Sequence, residues 1–326
     1  SEDLCYKIYS KIWGLDVLEE LYHDGSIDEI RVNSPDKVFI QKRGKNYKSN
    51  IKFKDEDHVK RILSRLFVHD RGVALTTSTP AIESIREDGT RVTATCSPVT
   101  GNSTFVLRKH GTFKMTKENL IKAGTLNEEI LNLLEKLVRG RVNIMISGGT
   151  GTGKTSLLRY LVGYMDNSVR LITLETDKEL RLTEYYPERD IVEFEEHPEI
   201  GLDMNKLFRT ILRYSPDVII VGEIRGKGEA TEAIKACVRG HDGSMATTHF
   251  NSPVEAIEGC AKMMVEEGLN LPLDLASHWV ASAFNVVVQM FTDTKKGIKK
   301  ITKVTEVTIS DGEIKYRDLI EWIPSK

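Results

Sequence analysis

Several things are scarce in this sequence, and each scarcity removes a class of protein. Only four of 326 residues are cysteine (Cys5, Cys96, Cys237, Cys260), and none forms a Cys-x-x-Cys pair. Neither a disulfide framework nor a four-cysteine zinc site is indicated, and the usage suits a reducing cytoplasm. Basic residues are not in excess: 46 Lys and Arg stand against 48 Asp and Glu, a formal net charge of −2. Without a general basic field, nucleic acid is not the expected partner. The longest apolar run near the C-terminus, Val280 to Phe291, is broken by Ser282, Asn285 and Gln289 and is too short and polar to span a bilayer. No signal peptide, repeat or low-complexity segment is visible. The chain starts at Ser1 rather than Met, which leaves room for residues upstream.

What is present centres on Val142-Asn143-Ile144-Met145-Ile146-Ser147-Gly148-Gly149-Thr150-Gly151-Thr152-Gly153-Lys154-Thr155. An apolar run typical of a strand buried on both faces passes into glycines and threonines, and Ser156, Leu157, Leu158 and Arg159 then open a helix. Strand, Gly-x-x-x-x-Gly-Lys-Thr loop and helix form a phosphate-binding unit. Gly148, Gly151 and Gly153 permit positive φ, so backbone N–H groups converge at a helix N-terminus that favours a phosphate chain. Lys154 reaches the β- and γ-phosphates and the Thr155 hydroxyl ligates Mg²⁺. The whole run Gly148, Gly149, Thr150, Gly151, Thr152, Gly153, Lys154, Thr155 and Ser156 is assigned to a nucleoside triphosphate. The loop alone does not say what work the phosphate drives.

At this length two domains are expected. Residues 1–110 read as an α+β domain. Amphipathic helices over 3–22 precede a hairpin, Ile27–Val32 and Val38–Gln41, and a turn at Gly44 leads to Ile51–Phe53. Asp55 caps a helix to Phe67. A further hairpin, 82–86 and 91–96 around a Glu87-Asp88-Gly89 turn, and a strand at 104–108 complete an antiparallel sheet. Residues 111–118 read as a linker. From 119 to 326 strands alternate with helices, including one from about Gly228 to Val238, which predicts a parallel sheet covered on both faces. The last 45 residues read as antiparallel strands with a turn at Asp311-Gly312.

Ligands of open α/β sheets bind beyond the carboxyl ends of the strands. Glu175, Glu223 and His249 stand there: Glu175 follows Ile172-Thr173-Leu174, Glu223 follows Val221-Gly222, and His249 follows Thr247-Thr248. Hydrolysis needs one carboxylate to orient or deprotonate water and an acidic group near Mg²⁺, and Glu175 and Glu223 qualify. Solvated strand-end acids are the plain alternative. Arg209 and Arg213, four apart, share one helix face. Cys237, His241, His249 and Cys260 match no zinc spacing.

Together with Glu175 and Glu179-Leu180, Pro216 to Gly226, and Gly240-His241-Asp242-Gly243-Ser244 with Thr247, His249, Asn251 and Pro253, the phosphate loop resembles the secretion superfamily of hexameric traffic ATPases. It is most similar to the ATPases of tight-adherence (Flp) pilus assembly, with the type IV secretion ATPases as near neighbours. The resemblance implies an α/β P-loop NTPase domain, RecA-like with a mostly parallel sheet, preceded by the α+β domain. It implies that Glu175 is the base, that Glu223 supports Mg²⁺ or the water, and that His249 contacts the γ-phosphate side. Arg91, Arg108, Arg209 and Arg213 become candidates to neutralise phosphate charge. It further implies ATP with Mg²⁺, a homohexamer, and an inner-membrane platform protein of a pilus or secretion system as partner. The motor would lie in the cytoplasm, peripherally on the inner face of the cell membrane. A type IV secretion or conjugation ATPase, and a nucleotide-gated scaffold with little turnover, remain alternatives. The sequence departs from the family pattern at Thr176 with Asp177, at Ser215, and at Phe250, which stands where alanine is usual.

Overall fold

Period-two and period-3.6 apolar patterns run through the chain, and among the described residues they close three apolar clusters. The computed structural model describes residues 2–42, 45–67, 74–86, 88–109, 116–226, 229–238, 240–268, 270–293 and 298–322. Gly44, Glu87, Gly228 and the greater part of the expected linker lie outside them. The chain divides into one unit over Ser1–Lys114 and another over Met115–Asp293 with Ile298–Lys326.

The first unit runs α1 (Glu2–Ile12), α2 (Glu19–His23), β1 (Ile27–Ser34), β2 (Lys37–Lys42), β3 (Lys45–Lys48), α3 (Glu56–Leu66), β4 (Ala81–Ile85), β5 (Arg91–Thr95) and β6 (Thr104–Arg108). The strands form an antiparallel sheet in the order β3-β2-β1-β6-β5-β4. Asp55 accepts from the His58 N–H and caps α3, whose Val59, Ile62, Leu63 and Leu66 are buried. The third strand is Lys45–Lys48, not Ile51–Phe53; all four of its residues are exposed, so no apolar alternation marks it. Arg91 and Arg108 are direct cross-strand partners and therefore share one face of the sheet.

The second unit runs α4 (Lys117–Lys122), α5 (Glu128–Arg139), β7 (Ile144–Gly148), α6 (Lys154–Val162), β8 (Leu171–Glu175), α7 (Leu182–Tyr185), β9 (Ile191–Glu195), α8 (Met204–Ile211), β10 (Val218–Val221), α9 (Glu229–Val238), β11 (Met245–Thr248), α10 (Pro253–Glu266), α11 (Leu273–Ala283), β12 (Val286–Asp293), β13 (Ile298–Ser310) and β14 (Glu313–Glu321). Thr116 caps α4 through the Asn119 N–H, so Lys117 and Glu118 are helical. One sheet holds the strands in the order β14-β13-β12-β7-β11-β10-β8-β9. From β12 to β9 the neighbours are parallel, and β13 and β14 extend the edge antiparallel. Residues of α4, α5 and α6 pack on one side, and residues of α8 to α11 on the other. The apolar run Val280 to Phe291 is divided: it closes α11 and then becomes β12.

Asn143, inside the run that leads into the phosphate loop, is a buried polar side chain. Its Oδ1 accepts the N–H groups of Gly243 and Ser244 at 2.8 and 2.9 Å, and its Nδ2 donates to the Ala283 carbonyl at 2.8 Å. It ties together the amino ends of β7, β11 and β12, which fixes where their opposite ends emerge. Asn143→Ala removes the acceptor of the Gly243 N–H and one of the two acceptors of the Ser244 N–H, whose other is the His241 carbonyl at 3.3 Å, and should lower the unfolding free energy by about 2 kcal/mol. Urea midpoints at unchanged slope measure this, and a loss under about 0.5 kcal/mol would contradict the bracket role.

Candidate active site

The phosphate loop leaves β7, whose five residues are all buried, and enters α6 at Lys154. Gly148, Gly151 and Gly153 all have positive φ, 154°, 74° and 96°. Gly153 is the N-cap of α6 in the left-handed region, where a side chain would strain the turn. Lys154 is only 6% exposed. Its Nζ donates to the carbonyls of Gly148 and Gly149 at 2.8 and 3.1 Å and lies 3.3 and 3.4 Å from the two ring nitrogens of His249.

His249 in turn pairs with Glu223, which also binds the Arg225 guanidinium at 2.6 Å. Burial opposes ionisation of Glu223, but the hydrogen bonds from His249 and Arg225 outweigh it and hold the carboxyl at about 2. Glu223 is therefore a carboxylate at any physiological pH. The turn that carries His249 is fixed from behind: the Phe250 carbonyl accepts from Ser147 Oγ at 3.1 Å and Gln289 Nε2 at 3.0 Å. The Phe250 ring fills the space over Gly259, where a Cβ would come within 2.1 Å of it. The larger residue thus fits because α10 has no side chain at that point.

Glu175 ends β8 and is 3% exposed. Gly222, at the end of the neighbouring β10, makes room for it; a Cβ there would lie 2.7 Å from Glu175 Cγ. Oε2 accepts the N–H groups of Glu179 and Leu180, both at 2.9 Å. Oε1 is buried and has no hydrogen-bond partner among the described residues. Burial pushes the carboxyl up to about 7, against the two amide hydrogen bonds, and the charges of Glu193 and Glu179 add to the rise. A carboxyl near 7 whose second oxygen carries no hydrogen bond among the described residues suits proton transfer at neutral pH once a water is admitted beside it.

A family model described as type II/IV secretion system protein matches residues 13–311. The chain belongs to that family. An uncharacterized protein of Methanocaldococcus jannaschii is 31% identical over 273 residues, which is 79% of this chain and 36% of that protein. The conjugal transfer protein TrbB of Rhizobium radiobacter is 27% identical over 186 residues, 56% of this chain and 55% of TrbB. The chain thus spans about a third and about half of the lengths of these two relatives. Among solved structures, the pilus retraction motor PilT with bound ADP shares the fold at a TM-score of 0.58 and 18% identity, over 95% of this chain and 83% of that one.

Within this secretion-family chain the structure brings Lys154, His249 and Glu223 into one connected group. Thr155 Oγ1 lies 3.4 Å from Glu179 Oε2, so a second carboxylate flanks the expected Mg²⁺ ligand. The adjacent oxygens of Thr155 and Glu179 are of the kind that suits Mg²⁺, which takes few protein ligands when phosphates supply the rest. No group of three or more His, Cys, Asp or Glu side chains that could itself hold a metal lies among the described residues. Arg209 and Arg213 are exposed. They do not share one regular helix face, because α8 ends at Ile211 and the backbone tightens, with Arg213 N–H on the Thr210 carbonyl at 2.9 Å. Arg91 and Arg108 belong to the other unit. Sequence reasoning missed Arg225, two residues beyond Glu223, and the buried Arg159; the Glu-x-Arg spacing was the signal for the first.

The raised Glu175 carboxyl has a consequence for stability. Its folded-state pKa exceeds the unfolded value, so protonation favours the fold, fully below about 4.5 and no longer as pH rises through about 7. Glu175→Gln imitates the protonated form. Its melting temperature relative to wild type should therefore rise between pH 5 and pH 8; a difference that is flat or falls with pH would contradict the buried, raised carboxyl.

Proposed function

We propose that this chain is a Mg²⁺-dependent ATP hydrolase, the cytoplasmic motor of a pilus-assembly or secretion machine. The observation that carries the reading is the contact of Lys154 with His249 and of His249 with Glu223 at the head of α6. These are the cation, the polar sensor and the carboxylate needed beside a terminal phosphate. On triphosphate entry Lys154 exchanges two backbone carbonyls for β- and γ-oxygens. Thr155 and Glu223 would hold Mg²⁺, with Glu179 adjacent. The ion, when bound, draws charge off the β- and γ-oxygens. Glu175 orients the attacking water and accepts its proton at Oε1, and His249 contacts the γ-phosphate side.

A triphosphate carries more charge than one lysine and one divalent ion neutralise. Arg91 and Arg108 on their shared face, and the exposed Arg209 and Arg213, are the remaining cations we assign to that task, delivered within a homohexamer. PilT, which shares the fold, is a pilus retraction motor with bound ADP, which supports a nucleotide-driven machine. TrbB's name favours conjugal transfer as the second reading, served by the same chemistry. We assign an inner-membrane platform protein as the partner that receives the force; among the described residues no helix is long and apolar enough to cross a membrane. Gene neighbours, pilin and platform genes or conjugation genes, separate the two readings.

The test is Glu175→Gln. It should retain ATP binding and lose turnover by about 10²–10⁴-fold. Phosphate release beside equilibrium nucleotide binding measures both, and normal turnover in the variant would remove Glu175 from the mechanism.

A further inference from the structure

We propose that Arg159 is a positioning residue for hydrolysis: from the middle of α6 it holds the loop whose amides grip Glu175. The proposal rests on the reading of Glu175 as the base. Arg159 is 6% exposed, an expensive place for a guanidinium unless its donors are satisfied. Nε donates to the Leu180 carbonyl at 2.8 Å and Nη2 to the Glu179 carbonyl at 2.7 Å. Nη1 donates to Tyr185 Oη at 3.1 Å, and the guanidinium lies 4.3 Å from the centre of the Tyr185 ring. Glu179 and Leu180 are the same two residues whose N–H groups bind Glu175 Oε2.

The guanidinium therefore grips two peptide carbonyls while the N–H groups of the same two residues fix one oxygen of the base and leave the other open. Glu179 also places its carboxylate 3.4 Å from the Thr155 hydroxyl. A single helix thus begins at the phosphate-binding lysine and, five residues on, sets the loop that aims the base. Lysine in place of Arg159 would supply one compact charge where a planar fork makes two parallel bonds, so it cannot hold both carbonyls in the same geometry.

Full-length Arg159→Lys, Glu175→Gln and the double variant test this, with kcat, KM and nucleotide binding measured on each. Arg159→Lys should lower kcat by about 10–100-fold, the scale of a small misplacement of a reacting group, with nucleotide affinity changed less than about twofold. In the Glu175→Gln background the same substitution should cost no further turnover, because the residue it positions is gone. An unchanged kcat, a loss of affinity that matches the loss of rate, or an equal loss in both backgrounds overturns the positioning role. Should Arg159→Lys fail to fold, Tyr185→Phe removes one partner of the guanidinium. It should lower kcat several-fold at unchanged affinity, and an unchanged kcat again overturns the proposal. A Glu175→Gln variant with wild-type turnover overturns the base assignment itself; a Glu175-dependent rate that ignores Arg159 overturns the positioning role alone.

Discussion

A carboxylate placed in the dry end of a parallel sheet is the constraint on which the rest of this site depends. Glu175 has almost no contact with water, and a buried charge is stable only where its oxygens are met by donors or its proton is retained. Here both occur in part. One oxygen takes two amide hydrogen bonds, and burial leaves the group near neutrality in its titration. The neighbouring strand must then end in Gly222, and the following loop must present consecutive N–H groups inward. That loop's carbonyls face the other way, which is where a buried guanidinium becomes useful.

The mouth of the phosphate loop shows the opposite electrostatic arrangement. Lys154, His249, Glu223 and Arg225 form one connected chain of polar contacts, and the hydrogen bonds from His249 and Arg225 hold Glu223 ionised. Two strand-end acids a strand apart thus differ in charge state: one fully ionised and paired, one poised near 7. Two titratable groups pushed apart in this way suit the division between an electrostatic and a proton-transfer role that we propose for them. The tether that keeps His249 in the chain is mechanical, a carbonyl held by Ser147 and Gln289 and a phenyl ring seated over Gly259.

Much of this was legible in the sequence because the signals were local. The run from Val142 to Thr155 contains its own strand, loop and helix start, and the strand Val218–Val221 ahead of Glu223 is short and wholly apolar. The Asp311-Gly312 turn supplies its own positive φ. The parts that escaped are long-range or lack a period. Asn143 was read as one residue of an apolar run, because its partners lie about 100 and 140 residues away. Arg159 carries no local signal beyond its place in a helix, since only the fold brings the Glu179–Leu180 loop over it. Lys45–Lys48 has no buried face to mark it as a strand, and α11 was hidden because its apolar residues run on into β12.

The central claim is that the group around Lys154 splits ATP rather than merely binding it. Steady-state phosphate release from ATP with Mg²⁺, compared between the wild-type chain and a folded Lys154→Ala variant over a range of protein concentrations, tests that most directly. The account predicts turnover in wild type that rises per subunit as assembly proceeds, and almost none in the variant. A wild-type chain that binds ATP but releases no phosphate at any concentration, or a Lys154→Ala chain that releases it equally fast, would contradict it.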